Sequence, residues 1–134
     1  MTRSRHEILP FALRIQPGLP ISEQLVYAVK KAVISGLLKP GSRFPSVRAV
    51  SQDLRIHPNT AHKAIAVLVG EGLLEVHPGI GTVVGRIPSG PSEKELKLLE
   101  GEAERLVVEA KNRRLRLDDV QRMVERQWNR LTNQ

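Results

Sequence analysis

Residues 46–68 read SVRAVSQDLRIHPNTAHKAIAVL. Two apolar stripes at helical spacing lie in this stretch, with a short break between them. Val47, Val50 and Leu54 form the first, and Ser46 ahead of them is placed to accept a hydrogen bond from a backbone N–H of the first turn. Ala61, Ala64, Ile65 and Leu68 form the second. Pro58 decides where the second begins. Proline inside a helix removes a hydrogen bond and clashes with the preceding turn. At the first helical position its missing N–H has no partner to lose. A helix therefore starts at Pro58, and its first turn carries Asn59, Thr60 and His62, with Lys63 close behind. A helix start stocked with polar donors and acceptors is suited to touching something polar. The small alanines on the opposite face let neighbouring helices come close.

The flanks extend this pattern. Upstream, Ile21, Leu25, Val29, Ala32 and Val33 recur at helical spacing, Gly36 ends the run, and Lys39-Pro40-Gly41 forms a turn. Residues 1–10 read as a flexible arm, followed by a short extended piece over residues 11–15 and the breakers Pro17, Gly18 and Pro20. Downstream, the second helix ends near Gly70 to Gly72. Leu74 and Val76 then alternate with Glu75 and His77, and a β-rich run returns over residues 82–87. The turn between them, Pro78-Gly79-Ile80-Gly81, completes a two-stranded hairpin. Three helices, with a tight connection between the second and third, followed by a hairpin make a winged helix-turn-helix spanning residues 11–87. The expected fold class is mainly α with a small β-hairpin.

Composition narrows the chemistry. The 134 residues allow one ordinary domain, or a small domain with an appendage. Aromatics are only 3%, so the core rests on Leu, Val, Ile and Ala. There is no cysteine, which excludes disulfides, zinc–thiolate sites and a cysteine nucleophile and fits a reducing cytoplasm. No apolar run approaches the roughly 20 residues of a membrane-spanning helix, and MTRSRHEILPFALRI lacks the sustained apolar stretch of a secretory signal. The expected location is cytoplasmic, without a membrane partner. Residues 1–86 hold 11 Lys/Arg against 5 Asp/Glu, whereas residues 87–134 hold 10 against 9. A basic portion joined to a nearly balanced one suggests that the first binds a polyanion and the second does something else. A basic surface that only keeps the chain in solution is the plainer alternative.

The balanced portion begins after Pro88-Ser89-Gly90-Pro91, a linker by composition over residues 88–91. Ser92-Glu93-Lys94-Glu95 is a capping box opening a helix. Leu96, Leu99, Ala103, Leu106 and Ala110 follow at alternating spacings of three and four, as in a coiled-coil seam. A basic turn over residues 113–116 leads to a second helix, with Asp118 and Asp119 near its positive end and Leu117, Val120, Val124, Trp128 and Leu131 on one side. Two such helices cannot enclose a large core alone. Their stripes need a partner surface, and a second copy of the chain is the simplest one. The alternative is that they fold back on the first domain. Residues 92–134 are thus read as a two-helix dimerisation domain.

Several spaced motifs agree with one known family. Gly36-Leu37-Leu38-Lys39-Pro40-Gly41, Phe44-Pro45-Ser46-Val47-Arg48, Asn59-Thr60, Gly72-Leu73 and Gly79-Ile80-Gly81-Thr82 stand in the order found in GntR-family transcriptional regulators. Residues 11–87 resemble the DNA-binding domain of that family. The short two-helix tail resembles the YtrA-type subfamily, whose members lack a large effector domain and often control neighbouring transporter genes. The resemblance implies that Arg48 contacts DNA, that Thr60 sits at the start of the recognition helix, and that Gly79 at the wing tip approaches the minor groove. Many members carry arginine where this chain has Pro58 and His62. That removes two strong candidates for bidentate guanine contacts and leaves Asn59, His62 and Lys63 with more of the readout.

Each of these residues has a second reading. Asn59 can read adenine or cap its own helix. Thr60 and Lys63 are suited to phosphate, and His62 either meets DNA or is solvated. Ser46 is a cap first and a phosphate contact second. Gly79 and Gly81 permit close backbone approach, although any tight hairpin favours glycine. Arg43, with Arg3 and Arg5 of the arm, can neutralise backbone charge or simply be solvated. Catalysis finds no support: His6, His57, His62 and His77 form no HExxH pattern and no ligand set, and Gly79-Ile80-Gly81 joins two strands rather than opening a helix. No cofactor or metal is expected. The expected function is a homodimeric regulator, a repressor, that binds double-stranded DNA at an inverted repeat. A small-molecule effector, if there is one, would sit at the dimer interface. The rival readings are a winged-helix protein-interaction module and a fragment of a larger enzyme. Against the second, the chain ends too early for the aminotransferase-like domain that some relatives carry.

Overall fold

The computed structural model describes residues 9, 11, 13–86 and 90–132. The chain divides into two compact units between residues 87 and 88. The first holds α1 (Ile21–Ile34), α2 (Val47–Leu54), α3 (Pro58–Gly70), β1 (Leu74–His77) and β2 (Gly81–Val84). The second holds α4 (Glu93–Asn112) and α5 (Leu117–Thr132).

Local chemistry fixes the helix ends of the first unit. α1 follows Pro20 without a side-chain cap. Gln24 instead clamps the preceding segment: its amide donates to the carbonyls of Gln16 and Leu19 at 2.8 and 3.0 Å, and its Oε1 accepts from the Gln16 N–H at 2.8 Å. Ser46 caps α2, its Oγ accepting from the Ala49 N–H at 3.1 Å. α2 closes on Arg55, held at φ 55°, with the Ile56 N–H donating to the Ser51 carbonyl. α3 closes through Gly72 at φ 80°, where the Gly72 and Leu73 N–H groups donate to the carbonyls of Val69 and Leu68 at 3.0 Å each. This is the Schellman arrangement, which satisfies the last carbonyls of a helix. It turns the chain directly into β1.

β1 and β2 pair antiparallel, with Leu74 opposite Val84 and His77 opposite Gly81. A third segment, not anticipated from the sequence, lies along β2. The Gly41 N–H donates to the Val84 carbonyl, the Val84 N–H to Ser42, and the Phe44 N–H to Thr82, at 2.8 to 2.9 Å. Arg43 sits opposite Val83. The wing is therefore anchored on both sides: by the end of α3 and by the segment that leads into α2.

The core lies between α1, α2, α3 and the base of the hairpin. Leu25, Val29, Val50, Ala61, Ala64, Leu68 and Leu74 are essentially inaccessible, and Leu38, Phe44 and Val84 close the margins. Three expectations need correction, and one exposure needs explaining. Leu9, assigned to the arm, is buried in the core. Val47 and Leu54 are only half-buried, at the edge of α2. The second strand ends at Val84, short of the expected 82–87 run: the Gly85 N–H still reaches the Leu73 carbonyl, but the Leu73 N–H is taken by the Leu68 carbonyl of the α3 end, so the ladder closes there. Val76 is 63% exposed although Leu74 on the same strand is buried, because the hairpin projects past the edge of the core. Arg3, Arg5 and His6 lie outside the described residues, as do Ile87, Pro88 and Ser89.

In the second unit, Ser92 caps α4, accepting from the Glu95 N–H at 3.2 Å, while its hydroxyl donates to the Glu95 carboxylate at 3.1 Å. At α5, Asp119 accepts from the Arg116 N–H at 2.8 Å and pairs with Arg122. The apolar stripes stay open. Leu96, Leu99, Ala103, Leu106, Val124 and Trp128 are exposed, Trp128 by 72%, and Val120 and Leu131 are half-buried. Among the described residues of this unit only Ala110 is buried, next to the turn, where the Leu115 N–H reaches its carbonyl.

Two backbone positions give stability changes of opposite sign. A Cβ on Gly85 would fall on the Gly72 carbonyl oxygen, so Gly85→Ala should lower stability by about 1–3 kcal/mol. Arg55 occupies a left-handed conformation that costs an L-residue roughly 1–2 kcal/mol, so Arg55→Gly should raise stability by about 0.5–1 kcal/mol, since part of the gain is offset by unfolded-state entropy. Urea denaturation of the two variants beside the unchanged chain measures both.

Candidate nucleic-acid interface

α3 presents two faces of different character. Ala61, Ala64, Ile65 and Leu68 are buried, whereas Asn59, His62, Lys63, Ala66, Val67 and Gly70 are exposed. Residues 59, 62, 63, 66 and 70 follow helical spacing, so they form one continuous accessible face. Pro58 stands at the first helical position, as its chemistry requires. Thr60 is half-buried beside them.

The cap of this helix is His57. Its Nδ1 accepts from the Asn59 N–H at 3.0 Å. Between the two readings of Asn59, the capping one is thereby taken over by the residue two positions earlier, and the Asn59 side chain is exposed with no partner among the described residues. His57 was not singled out in the sequence, because histidine is an uncommon cap and the polar residues of the first turn drew attention away from it.

Arg48, on the first turn of α2, is exposed, and its guanidinium makes no hydrogen bond or ion pair among the described residues. Arg43 is different. Its Nη2 donates to the Ile80 carbonyl at the wing tip, at 2.8 Å. Arg43 thus braces the wing and, since a neutral carbonyl leaves its charge intact, also carries positive charge to the tip. The tip is a tight turn in which the Ile80 N–H donates to the His77 carbonyl at 3.0 Å, with Pro78 and Gly79 (φ 79°) at its two centres. Proline followed by a positive-φ glycine is the sequence of a type II turn. Gly81, at φ 111°, returns the chain into β2. Space is open where a Cβ would stand on Gly79 and Gly81. On β1, His77 Nε2 lies 2.9 Å from Glu75 Oε1.

The structure brings Ser46, Arg48 and the α3 residues onto one unit with the wing. It also adds Ala66 and Val67 to the exposed face of α3. Their spacing from Asn59 and Lys63 was the available signal. Among the described residues no group of His, Asp or Glu is arranged to hold a metal ion, and no helix is long and apolar enough to cross a membrane.

Three helices, a capped and exposed third helix, and a glycine-tipped hairpin define a winged helix-turn-helix of the DNA-binding kind. The family model for bacterial regulatory proteins of the gntR family matches residues 21–84. The HTH-type transcriptional repressor YtrA of Bacillus subtilis is 30% identical over 101 residues, covering 73% of this chain and 78% of that protein. The chain belongs to the GntR family of transcriptional regulators, a family of regulatory proteins and not of enzymes. The YtrA match is longer than the first unit alone, so the likeness reaches into the helical tail. Among solved structures, YtrA from Sulfolobus acidocaldarius, a GntR-family transcription factor, superposes with a TM-score of 0.55 at 27% identity, over 69% of this chain and 94% of that one. A transcriptional antiterminator from Listeria monocytogenes EGD-e shares the fold more fully, with a TM-score of 0.79 over 90% of this chain and 91% of that one, at 21% identity.

The His57 cap can be tested directly. His57→Ala should cost about 1 kcal/mol of stability, while His57→Asn or His57→Ser should keep most of it. Urea denaturation gives the stabilities, and amide hydrogen exchange at Asn59 reports whether the first turn of α3 frays.

Proposed function

We propose that this chain is a cytoplasmic, homodimeric repressor that recognises an inverted-repeat operator. The first turn of α3 enters the major groove, and Arg48 and Lys63 hold the phosphate backbone. The observation that carries this reading is the exposed start of α3. His57 has taken over the capping of that turn, so the side chains of Asn59 and His62 are left exposed, and on the same unit Arg48 is exposed with no partner among the described residues. Asn59 reads an adenine through its amide, His62 donates to a neighbouring base or phosphate, and Thr60 and Ser46 support phosphate contacts at the helix starts.

The helical tail supplies the symmetry. Leu96, Leu99, Ala103 and Leu106 on α4, with Val120, Val124, Trp128 and Leu131 on α5, form faces that one chain leaves largely uncovered. A second copy would bury them, and two-fold pairing would space the half-sites about 10 base pairs apart, or a multiple of that. An effector, where one exists, would bind between the paired tails.

Selection of bound duplexes from a random DNA pool, followed by affinity measurement at two salt concentrations, tests the reading. An inverted repeat should emerge, with affinity falling steeply as salt rises through counterion release. Arg48→Ala should weaken binding to every sequence. Asn59→Ala should relax preference at one base pair, by about 1–3 kcal/mol. Equal losses for both variants on every duplex would refute that division of labour, and binding indifferent to salt would point to a protein partner instead.

The tail gives a separate expectation. Leu99→Asp combined with Leu106→Asp should yield monomers in sedimentation analysis. Affinity for the full inverted repeat should fall by about 100-fold while a single half-site is bound as before, because bivalency is lost.

A further inference from the structure

We propose that the outer face of α1 pairs with the same face of a second copy, antiparallel about Tyr27, and so joins two DNA-bound dimers back to back. The inference rests on the DNA-binding reading above and assigns a role to a helix that reading does not use.

α1 buries one stripe, Leu25, Val29, Ala32 and Val33, and turns the opposite side to solvent. Glu23, Tyr27 and Lys31 follow one another on that outer side at four-residue spacing, and Ile34 comes three residues later. Tyr27 is 67% exposed and Ile34 58%. Leu19, also exposed, stands just ahead of the helix, where the Gln24 amide holds its carbonyl at 3.0 Å. Single apolar residues on a surface are ordinary, but three along one line with a charge in each gap form a patterned surface.

Charge names the occupant. Lys30 is taken by Glu71 at 2.8 Å. Glu23 and Lys31 make no ion pair among the described residues. Glu23 lies about 6 Å before Tyr27 along the helix axis and Lys31 about 6 Å after it. When a second α1 lies antiparallel across the first, with the two-fold axis at Tyr27, Glu23 of each copy meets Lys31 of the other. Leu19 and Ile34, eight residues before Tyr27 and seven after, meet in the same way. Parallel pairing would set Glu23 against Glu23 and Lys31 against Lys31. The face is thus complementary to itself in one orientation, as a two-fold contact requires. Tyr27 against its own image supplies an aromatic contact and a large part of the buried area. The ion pairs fix the orientation and add little affinity.

The place of this face in the unit says what pairing would do. α1 and α3 pack on each other through their buried faces, so their exposed faces look out from opposite sides. With α3 in a major groove, Tyr27 points away from that duplex. Both units of a dimer on one inverted repeat turn α3 to the same duplex, which leaves their α1 faces to units of another dimer. Back-to-back pairing then holds two duplex segments, one on each outer side. A single helix face is smaller than the roughly 800 Å² per partner of a stable complex, so the pairing belongs where DNA holds several dimers close together.

The test uses the full chain and the duplex selected from the random pool. One sample of the duplex is fixed to beads and saturated with protein. A fluorescent sample carrying its own protein is added, and the retained label is measured. The unchanged chain should retain it. Tyr27→Asp should lower retention by about tenfold, as loss of an interface anchor would, while the first duplex is bound as before. Glu23→Lys in both samples, or Lys31→Glu in both, should lower it by about the same factor, because like charges then face each other. A Glu23→Lys sample presented to a Lys31→Glu sample should recover retention to within about twofold, since opposite charges face again. A fault within the helix would not be cured by mixing, and all three side chains are exposed, so the core is untouched. No retention by the unchanged chain, retention that survives Tyr27→Asp, or single variants that stay weak when mixed would each overturn the inference alone. Failure to hold the first duplex would overturn the DNA-binding reading and this inference with it.

Discussion

Two methyl-sized side chains, Ala61 and Ala64, set how near α1 and α2 can come to α3. Both have no accessible surface. α3 packs against α1, α2 and β1 at once, so its inner face is the common wall of the whole first unit. Larger residues at these positions would push the neighbouring helices outward, and interiors packed to crystal density have little space to absorb them. The same close packing on the inside holds the outer face rigid. A side chain at residue 59, 62 or 63 then has a defined starting direction, which reduces the ordering cost of any contact it makes.

Rigidity also reaches the hairpin, by a different route. An isolated two-stranded hairpin is marginal in water. Here the Schellman turn at Gly72 feeds β1 directly from α3, and residues 41–44 lie along β2. Arg43 extends that support to the tip through one long side chain. The wing and the helices are therefore one construction, in which a change at the base of the hairpin, such as a side chain on Gly85, is felt at the end of α3.

Much of this was legible in the sequence, because the strongest signals were local. Pro58 fixed the start of α3, Ser46 the start of α2, and Pro78-Gly79 the turn of the wing. What escaped notice depends on long-range pairing or on unusual chemistry. Residues 41–44 are too short to alternate, and their pairing with β2 joins segments about 40 residues apart. His57 caps with a ring nitrogen rather than a hydroxyl or carboxylate. Arg55 adopts a left-handed conformation usually left to glycine, so nothing in its residue type announces the turn. Val76 follows the alternation of its strand and is still exposed, since alternation tells which side a residue faces but not how far the core extends beneath it. The bracing role of Arg43 has no signature in the sequence either, because its partner is a backbone carbonyl.

The exposed face of α3 has no arginine, which decides how affinity and specificity are divided. The exposed face of α3 carries a single fixed charge, Lys63, while the first unit as a whole is strongly basic. On the proposed reading, attraction to DNA comes from cations around the groove-facing surface, and discrimination comes from neutral groups: the amide of Asn59, the ring of His62, and the methyls of Ala66 and Val67. Phosphate contacts hold register without carrying sequence information, and base-edge contacts do the reverse. A surface built this way should bind weakly and broadly through its charge, then tighten only where several modest neutral contacts are met together. With each neutral contact contributing little alone, two half-sites bound at once become the means to reach useful affinity, and the uncovered faces of α4 and α5 provide the place where two chains would join.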